Sequence, residues 1–531
     1  MPRPFRSSLP SVLLAAFVLA AASSAHAQLT DLTQTPNAAK AGIRKSLEQE
    51  IGAGRGDIFT PGSSAYMIAR DPFRAVARGR QLFQRKFTLA QGSGPRKNDG
   101  IGDISADHSI GAGLADSCAS CHGRPFGSAG TGGNVFTRPE SRDAPHLFGI
   151  GLVEMLGDEI TDDLRRLADI AAANALASHH DALTVLASKG IDYGVLVAHA
   201  DGTLDTSGVI GVDADLRVKP FFHQGGAFAI RDFVVGALNA EMGIQSADPD
   251  LLMASRGLDV VTPSGMHLTG TRDTIGAPPA ENLFDDPDQD GIVNEAPAAV
   301  VDDLEFYLLN YFLPGVDQQT QTTRAGARLM RSVGCTACHV PDLTVETDRR
   351  VASVQSQFDP VRSNAVFSHL YATATPIHGF VDDGSGYPAL QPPLAQSFLV
   401  RNLFADFRRH DLGPNFHERN FDGTVQKEFM TEPLWGVSDT APYGHDGRST
   451  NLDDVILRHG GDAKLSRDRY AALSKADHDA MLAFLHTLVL FSPPWTASNL
   501  APAHPDDVDF PAVGAGSIDL SVLFLDPTDK E

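Results

Sequence analysis

Apolar residues recur at helical spacing in several stretches of the chain. In TTRAGARLMRSVG, Gly326, Met330 and Val333 fall at i, i+4 and i+7, which predicts an amphipathic helix with a glycine at a close crossing. In SKADHDAMLAFLHTLVLF, Ser474 precedes the periodic run with Asp477 three positions on, and Met481, Leu485 and Leu488 form its buried stripe. In STNLDDVILRHGG, Thr450 is read as a cap with Asp453 at N3, and Leu452, Val455, Ile456 and His459 share a face before Gly460 and Gly461 end the helix. FRAVARGRQLFQRKF and AVVDDLEFYLLNYFL predict two more helices, the second stopped by Pro314 and Gly315. A leading and a closing helix thus occur twice in the same order, as an internal repeat with a boundary near residue 318 in the polar run DQQTQTT.

The N-terminus adds a targeting signal. Arg3 and Arg6 precede an apolar run from Val12 to Ala22 and then Ser24-Ala25-His26-Ala27, which reads as a secretory signal peptide over residues 1–27. No later run of about eighteen apolar residues offers a membrane span. The expected product is periplasmic or secreted, in a compartment that oxidises thiols, so two disulfides or a zinc site form one reading of its four cysteines. The spacing favours another. The cysteines occur as Cys118-x-x-Cys121-His122 and Cys335-x-x-Cys338-His339 and leave none over. In Cys-x-x-Cys-His the two sulfurs form thioethers to the vinyl groups of a haem, and the adjacent imidazole ligates the iron. Two covalently bound c-type haems are therefore expected.

With those motifs placed, the expected fold is mainly α: two fused cytochrome c-like domains with long loops. Residues 28–72 form an N-terminal extension, 73–318 the first haem domain with an Ala- and Asp-rich insertion at about 157–220, 319–495 the second haem domain, and 496–531 a tail.

What fills the second axial position of each iron decides between electron carriage and chemistry. On spacing alone His459, in line with an apolar stripe, is either a core histidine or a ligand. The stretch MTEPLWGVSDTAPYGHDGRSTNLDDVILRHGG resembles the signature of bacterial di-haem cytochrome c peroxidases and their relatives. In these, the distal ligand of the C-terminal haem lies fourteen residues past the His of TAPYxHDG; from His445 that position is His459. HLFGIGLVEML, IRDFVVGALNAEMGI, DPDQDGI, RSVGCTACHVPDL and RRHDLGP bring the chain nearer to the di-haem c-type group also described as "thiol oxidoreductases". The resemblance runs over about residues 73–495 and implies peroxide, or another small oxidant, reduced at the N-terminal haem with electrons from a small redox protein. It implies that Glu241 of NAEMGI moves protons at that haem; the plainer reading is a solvated residue at a helix end. It departs from the family where Phe233 replaces a distal Gln, where His223 of PFFHQGG replaces a tryptophan between the haems, and where Arg138 stands sixteen residues past His122 in place of a switchable ligand. His146 and His223 are then candidates for the sixth ligand, and His223 also for a polar or electron-path role.

FDDPDQDGIVNE places Asp286, Asp288 and Asp290 at alternate positions before Gly291, as at the start of a calcium loop, with Glu295 two residues short of the EF-hand position. A solvated acidic turn is the other reading. No Walker, GxSxG or HExxH motif occurs, so nucleotide-driven and hydrolytic chemistry has no visible seat. A net charge of −23 disfavours nucleic acid and anionic lipid as partners and suits a basic electron-transfer protein. Two other functions fit the same motifs: a di-haem carrier without catalysis, and an oxidase or oxygenase acting on an organic or protein substrate.

Overall fold

The helices form where the periodicity places them, and their ends follow local chemistry. A computed structural model describes residues 46–94, 115–123, 129–130, 134–135, 142–287, 289, 291–293, 295–311, 313–358, 370–393, 396–420 and 423–490. The signal segment and the tail lie outside these residues. Twelve α-helices occur among them: α1 Leu47–Ile51, α2 Ser64–Arg70, α3 Pro72–Gln84, α4 Cys118–His122, α5 Ile150–Ser178, α6 Ile230–Met242, α7 Pro249–Ser255, α8 Ala298–Leu309, α9 Gln321–Val333, α10 Leu452–Arg458, α11 Lys464–Ala471 and α12 Lys475–Leu485. Ser474 caps α12 by accepting from Asp477 N. The cap of α10 is Asn451, one residue later than Thr450, accepting from Asp454 N at 2.9 Å. α8 ends well before Pro314. Its stop is Asn310, whose amide donates to Phe306 O while its carbonyl accepts from Val351 and Ala352 N.

The mainly α expectation of two fused cytochrome c-like domains does not hold. Helices make up 38% and strands 17% of the described residues. The strands form one three-stranded sheet, Ala182–Ser188, Ile191–Ala198 and Leu204–Asp205, and eight two-stranded ones among the described residues. Their source is the long loops expected between helices, which fold back on themselves: Ala352–Phe358 pairs with Leu370–Pro376, and Gly379–Asp382 with Pro388–Gln391. Most of these strands are two to four residues long, too short for an alternating pattern to declare itself. α5 runs as one helix through residue 157.

The large core takes in residues from Ile51 to Leu490, and a smaller one gathers Met330 and Val333 of α9, Met481, Phe484 and Leu485 of α12, and Phe404, Tyr443 and Leu452. α9 crosses α12 at Gly326, where a Cβ would come within 2.0 Å of Ala480 O. Near residue 318 the chain is tied to its last described strand: Gly315–Val316 pairs with Leu488–Val489, and Asp317 N donates to Thr487 O.

One buried ion cluster fixes α6, the helix that matters most for the first motif. Arg231 is fully buried and bonds Asp248, Asp302 and Glu305. Unpaired, such a charge would be very costly; carboxylates on several sides hold the guanidinium charged. Asp248 also caps α7, so one arginine locks α6, α7 and α8 together. No helix among the described residues is long and apolar enough to cross a membrane.

Candidate functional site

Around the first motif, Ser117 caps α4, accepting from Ser120 N at 3.2 Å. Positions i, i+3 and i+4 of one helical turn share a face, so Cys118, Cys121 and His122 project together. All three line one cavity. α6 supplies another wall, with Phe233, Ala237 and Glu241 at four-residue spacing, and Leu304, Leu308 and Phe83 close it further. His122 donates from Nδ1 to Pro145 O at 2.7 Å, and its ring makes a further main-chain hydrogen bond to Gly130. Burial lowers its pKa to about 4, so the ring is the neutral form that ligates metals, and burial pushes the Cys118 thiol up to about 12. Two sulfurs, an imidazole whose Nδ1 is held by the main chain, and apolar walls are the donor set and lining that fit a haem.

Glu241 and Phe233 line this cavity together with the motif. Phe233 packs on Phe221 and Phe222 at 5.9 and 5.3 Å. His223 is not among the lining residues. Its Nδ1 pairs with the half-exposed Glu432 at 2.7 Å and its Nε2 donates to Asp143 O at 2.9 Å, so both nitrogens are engaged. Burial alone would lower its pKa, but Glu432 raises it. His146 is engaged likewise, donating from Nε2 to Trp435 O and accepting at Nδ1 from Phe148 N. Arg138 lies outside the described residues.

At the second motif, α9 ends at Gly334 and a 3-10 turn, Cys335–Ala337, carries the sulfurs. Burial raises the Cys335 thiol to about 11. His339 donates from Nδ1 to Phe404 O at 2.9 Å, and His459 from Nδ1 to Val455 O at 2.7 Å. Burial lowers both rings, His459 to about 4. His459 is the residue that caps α10 at its C-terminus, with extended backbone, and is not part of the helical stripe. Gly460 and Gly461 do more than end the helix: a Cβ on Gly461 would meet Asp411 O at 2.0 Å, so this pair allows the RRHDLGP segment to press against the helix end.

That segment carries the residues sequence reasoning passed over. His410 Nε2 lies 2.9 Å from Asp406 Oδ2, and His410 Nδ1 lies 3.9 Å from Cys338 Sγ. Among the described residues this trio is the place where three such side chains bring ligand atoms within 4.8 Å of one another. The signal for it in the sequence is RRHDLGP itself, whose His410 follows Asp406 by four residues.

Between the motifs runs a line of rings. His223 and His445 are 6.1 Å apart, His445 and Phe416 6.1 Å, and Phe416 and His459 5.2 Å. Phe429 stacks on His445 at 3.9 Å, and Asp143 N donates to His445 O. Glu418 sits 3.2 Å from His445 Nε2 and also bonds Arg142.

Of the expected calcium ligands, Asp288 and Asp290 lie outside the described residues. Asp286 accepts from Gly291 N at 2.9 Å. Glu295, buried against Gly92, accepts from Gln245 N at 2.6 Å.

Residues 349–488 match the family model described as "Di-haem oxidoreductase, putative peroxidase". The chain therefore resembles a haem-dependent oxidoreductase family over the stretch that holds His410, His445 and His459 and begins beyond both Cys-x-x-Cys-His motifs. No curated protein matches. Among solved structures, hydrazine synthase of Kuenenia stuttgartiensis, pressurised with xenon, is similar over 37% of this chain and 57% of its own length, at 16% identity and a TM-score of 0.22. An overlap this loose carries no argument.

Proposed function

We propose that this chain is an exported, periplasmic or secreted di-haem c-type oxidoreductase that passes electrons from a small redox protein through a centre at His339 and His459 to a reactive centre at His122, where peroxide or a related small oxidant is reduced. One contrast carries the reading. His122, His339 and His459 each donate to a main-chain carbonyl through Nδ1, yet His122 opens on a cavity shared with a carboxylate while the second motif has the His410–Asp406 pair beside Cys338. The match to a di-haem oxidoreductase family supports the same class.

When bound, the haems would supply one-electron transfer and, at the first site, the place where the oxidant is reduced. Cys118 and Cys121 would anchor the first porphyrin, with His122 as ligand to its metal. Glu241 would hold a proton at the cavity and return it as the oxidant's O–O bond breaks. Phe233 excludes water and offers no hydrogen bond, so Glu241 is the polar group on which proton movement depends among the named α6 residues. Cys335 and Cys338 would anchor the second porphyrin, with His339 and His459 as ligands to its metal. His223, His445 and Phe416 bridge the interval between the sites. The −23 charge suits a basic donor protein.

Carbon monoxide added to the reduced full-length protein tests the asymmetry: one haem of two is expected to bind it. Binding to neither makes the protein a carrier, and turnover of hydrogen peroxide with a reduced donor separates peroxide reduction from oxidation of an organic substrate. His459→Met is expected to raise one midpoint potential and leave haem content unchanged; two unmoved potentials remove His459 as a ligand.

A further inference from the structure

The inference that follows rests on the di-haem reading and concerns how the second porphyrin is attached. We propose that His410, oriented by Asp406, is the positioning residue that seats the Cys338 sulfur for its bond to the porphyrin vinyl group. Cys338 Sγ lies 3.9 Å from His410 Nδ1, within hydrogen-bond reach for sulfur. The other ring nitrogen lies 2.9 Å from Asp406, which is 0% exposed and whose second oxygen accepts from Arg408 N. His410 itself is 6% exposed and stands on the strand Arg409–Asp411, paired in register with Phe429. A nucleophile, an imidazole and a carboxylate that holds the imidazole is the arrangement that activates sulfur elsewhere in protein chemistry. Burial would lower the His410 pKa, and the hydrogen bond to Asp406 raises it.

Thioether formation joins sulfur to the inner vinyl carbon, breaks the vinyl double bond and places one proton on the outer carbon, with no net gain or loss of electrons. His410 delivers that proton, and the thiol's own proton replaces it on the ring, which ends as it began. With its sulfur bonded to porphyrin, Cys338 is no longer free to ligate, so the trio does not hold an independent metal ion.

The test counts thioethers at each cysteine in full-length protein matured by a haem-attaching host, by alkylating free thiols and weighing the two motif peptides. In the wild type all four cysteines are expected to be blocked. In His410→Gln, Cys338 becomes alkylatable in most chains while Cys335, Cys118 and Cys121 stay attached, and the pyridine haemochrome band of one haem moves to the red. Asp406→Asn keeps the imidazole and reads the same quantity should His410→Gln fail to accumulate. Wild-type attachment at Cys338 in these variants overturns the proposal. Free thiols at both motifs of the wild type would instead sink the di-haem reading, and this inference with it.

Discussion

Around Cys118–His122 the chain leaves a cavity walled by α6, whereas around the second motif it brings in Phe404 and the His410–Asp406 pair, with His459 expected as a ligand. The same five-residue pattern is thus set in two environments, one with room for a reactant and one furnished with a candidate second ligand. The difference comes from what each turn packs against. α6, anchored by buried Arg231, stands back from the first turn and offers small or apolar side chains and one carboxylate. The end of α10 is drawn close to the second because Gly460 and Gly461 admit the 411–413 backbone. Identical ligand chemistry is therefore given different tasks by its neighbours.

The comparison breaks most sharply at Glu241. Glu241→Gln keeps the cavity and removes the proton carrier, so peroxide turnover is expected to fall about 10²–10⁴-fold, with carbon monoxide binding retained. Unchanged turnover would leave Glu241 as a wall residue. The second environment is broken through packing: Gly326→Ala drives a methyl into Ala480 O across the α9–α12 crossing and is expected to destabilise the protein by roughly 1–3 kcal/mol, read by chemical denaturation. The last test concerns the link between the environments. The His223–Glu432 pair needs a protonated His223, whose pKa is raised, so its contribution is fully present below the ordinary value of 6.5 and is lost as pH rises through the raised one. Glu432, with a lowered pKa, stays ionised to below its ordinary 4.5. The stability difference between wild type and His223→Gln is therefore expected to be below about 1 kcal/mol, since Glu432 is half-exposed, and to vanish at alkaline pH.

The helices around the motifs were legible because 3.6-residue periodicity and Ser474-type caps are local. Glu241 and Phe233 were legible through resemblance, and the cavity unites them with the motif. The balance of helix and strand was not legible, since pairs such as Glu418–Arg419 with Val425–Gln426 are settled by tertiary position. His410 and Asp406 escaped notice for a similar reason: nothing in their own spacing points to a cysteine 72 residues away.

Pro145, Phe404 and Val455 meet the three imidazoles through their carbonyl oxygens. Since every amino acid carries that oxygen, these hydrogen bonds ask for a backbone path and not for a particular side chain. Phe404 is held for another reason, being buried against Phe484, so a substitution there reaches its imidazole by moving the main chain. Retuning those three rings thus demands insertions, deletions or a rerouted loop.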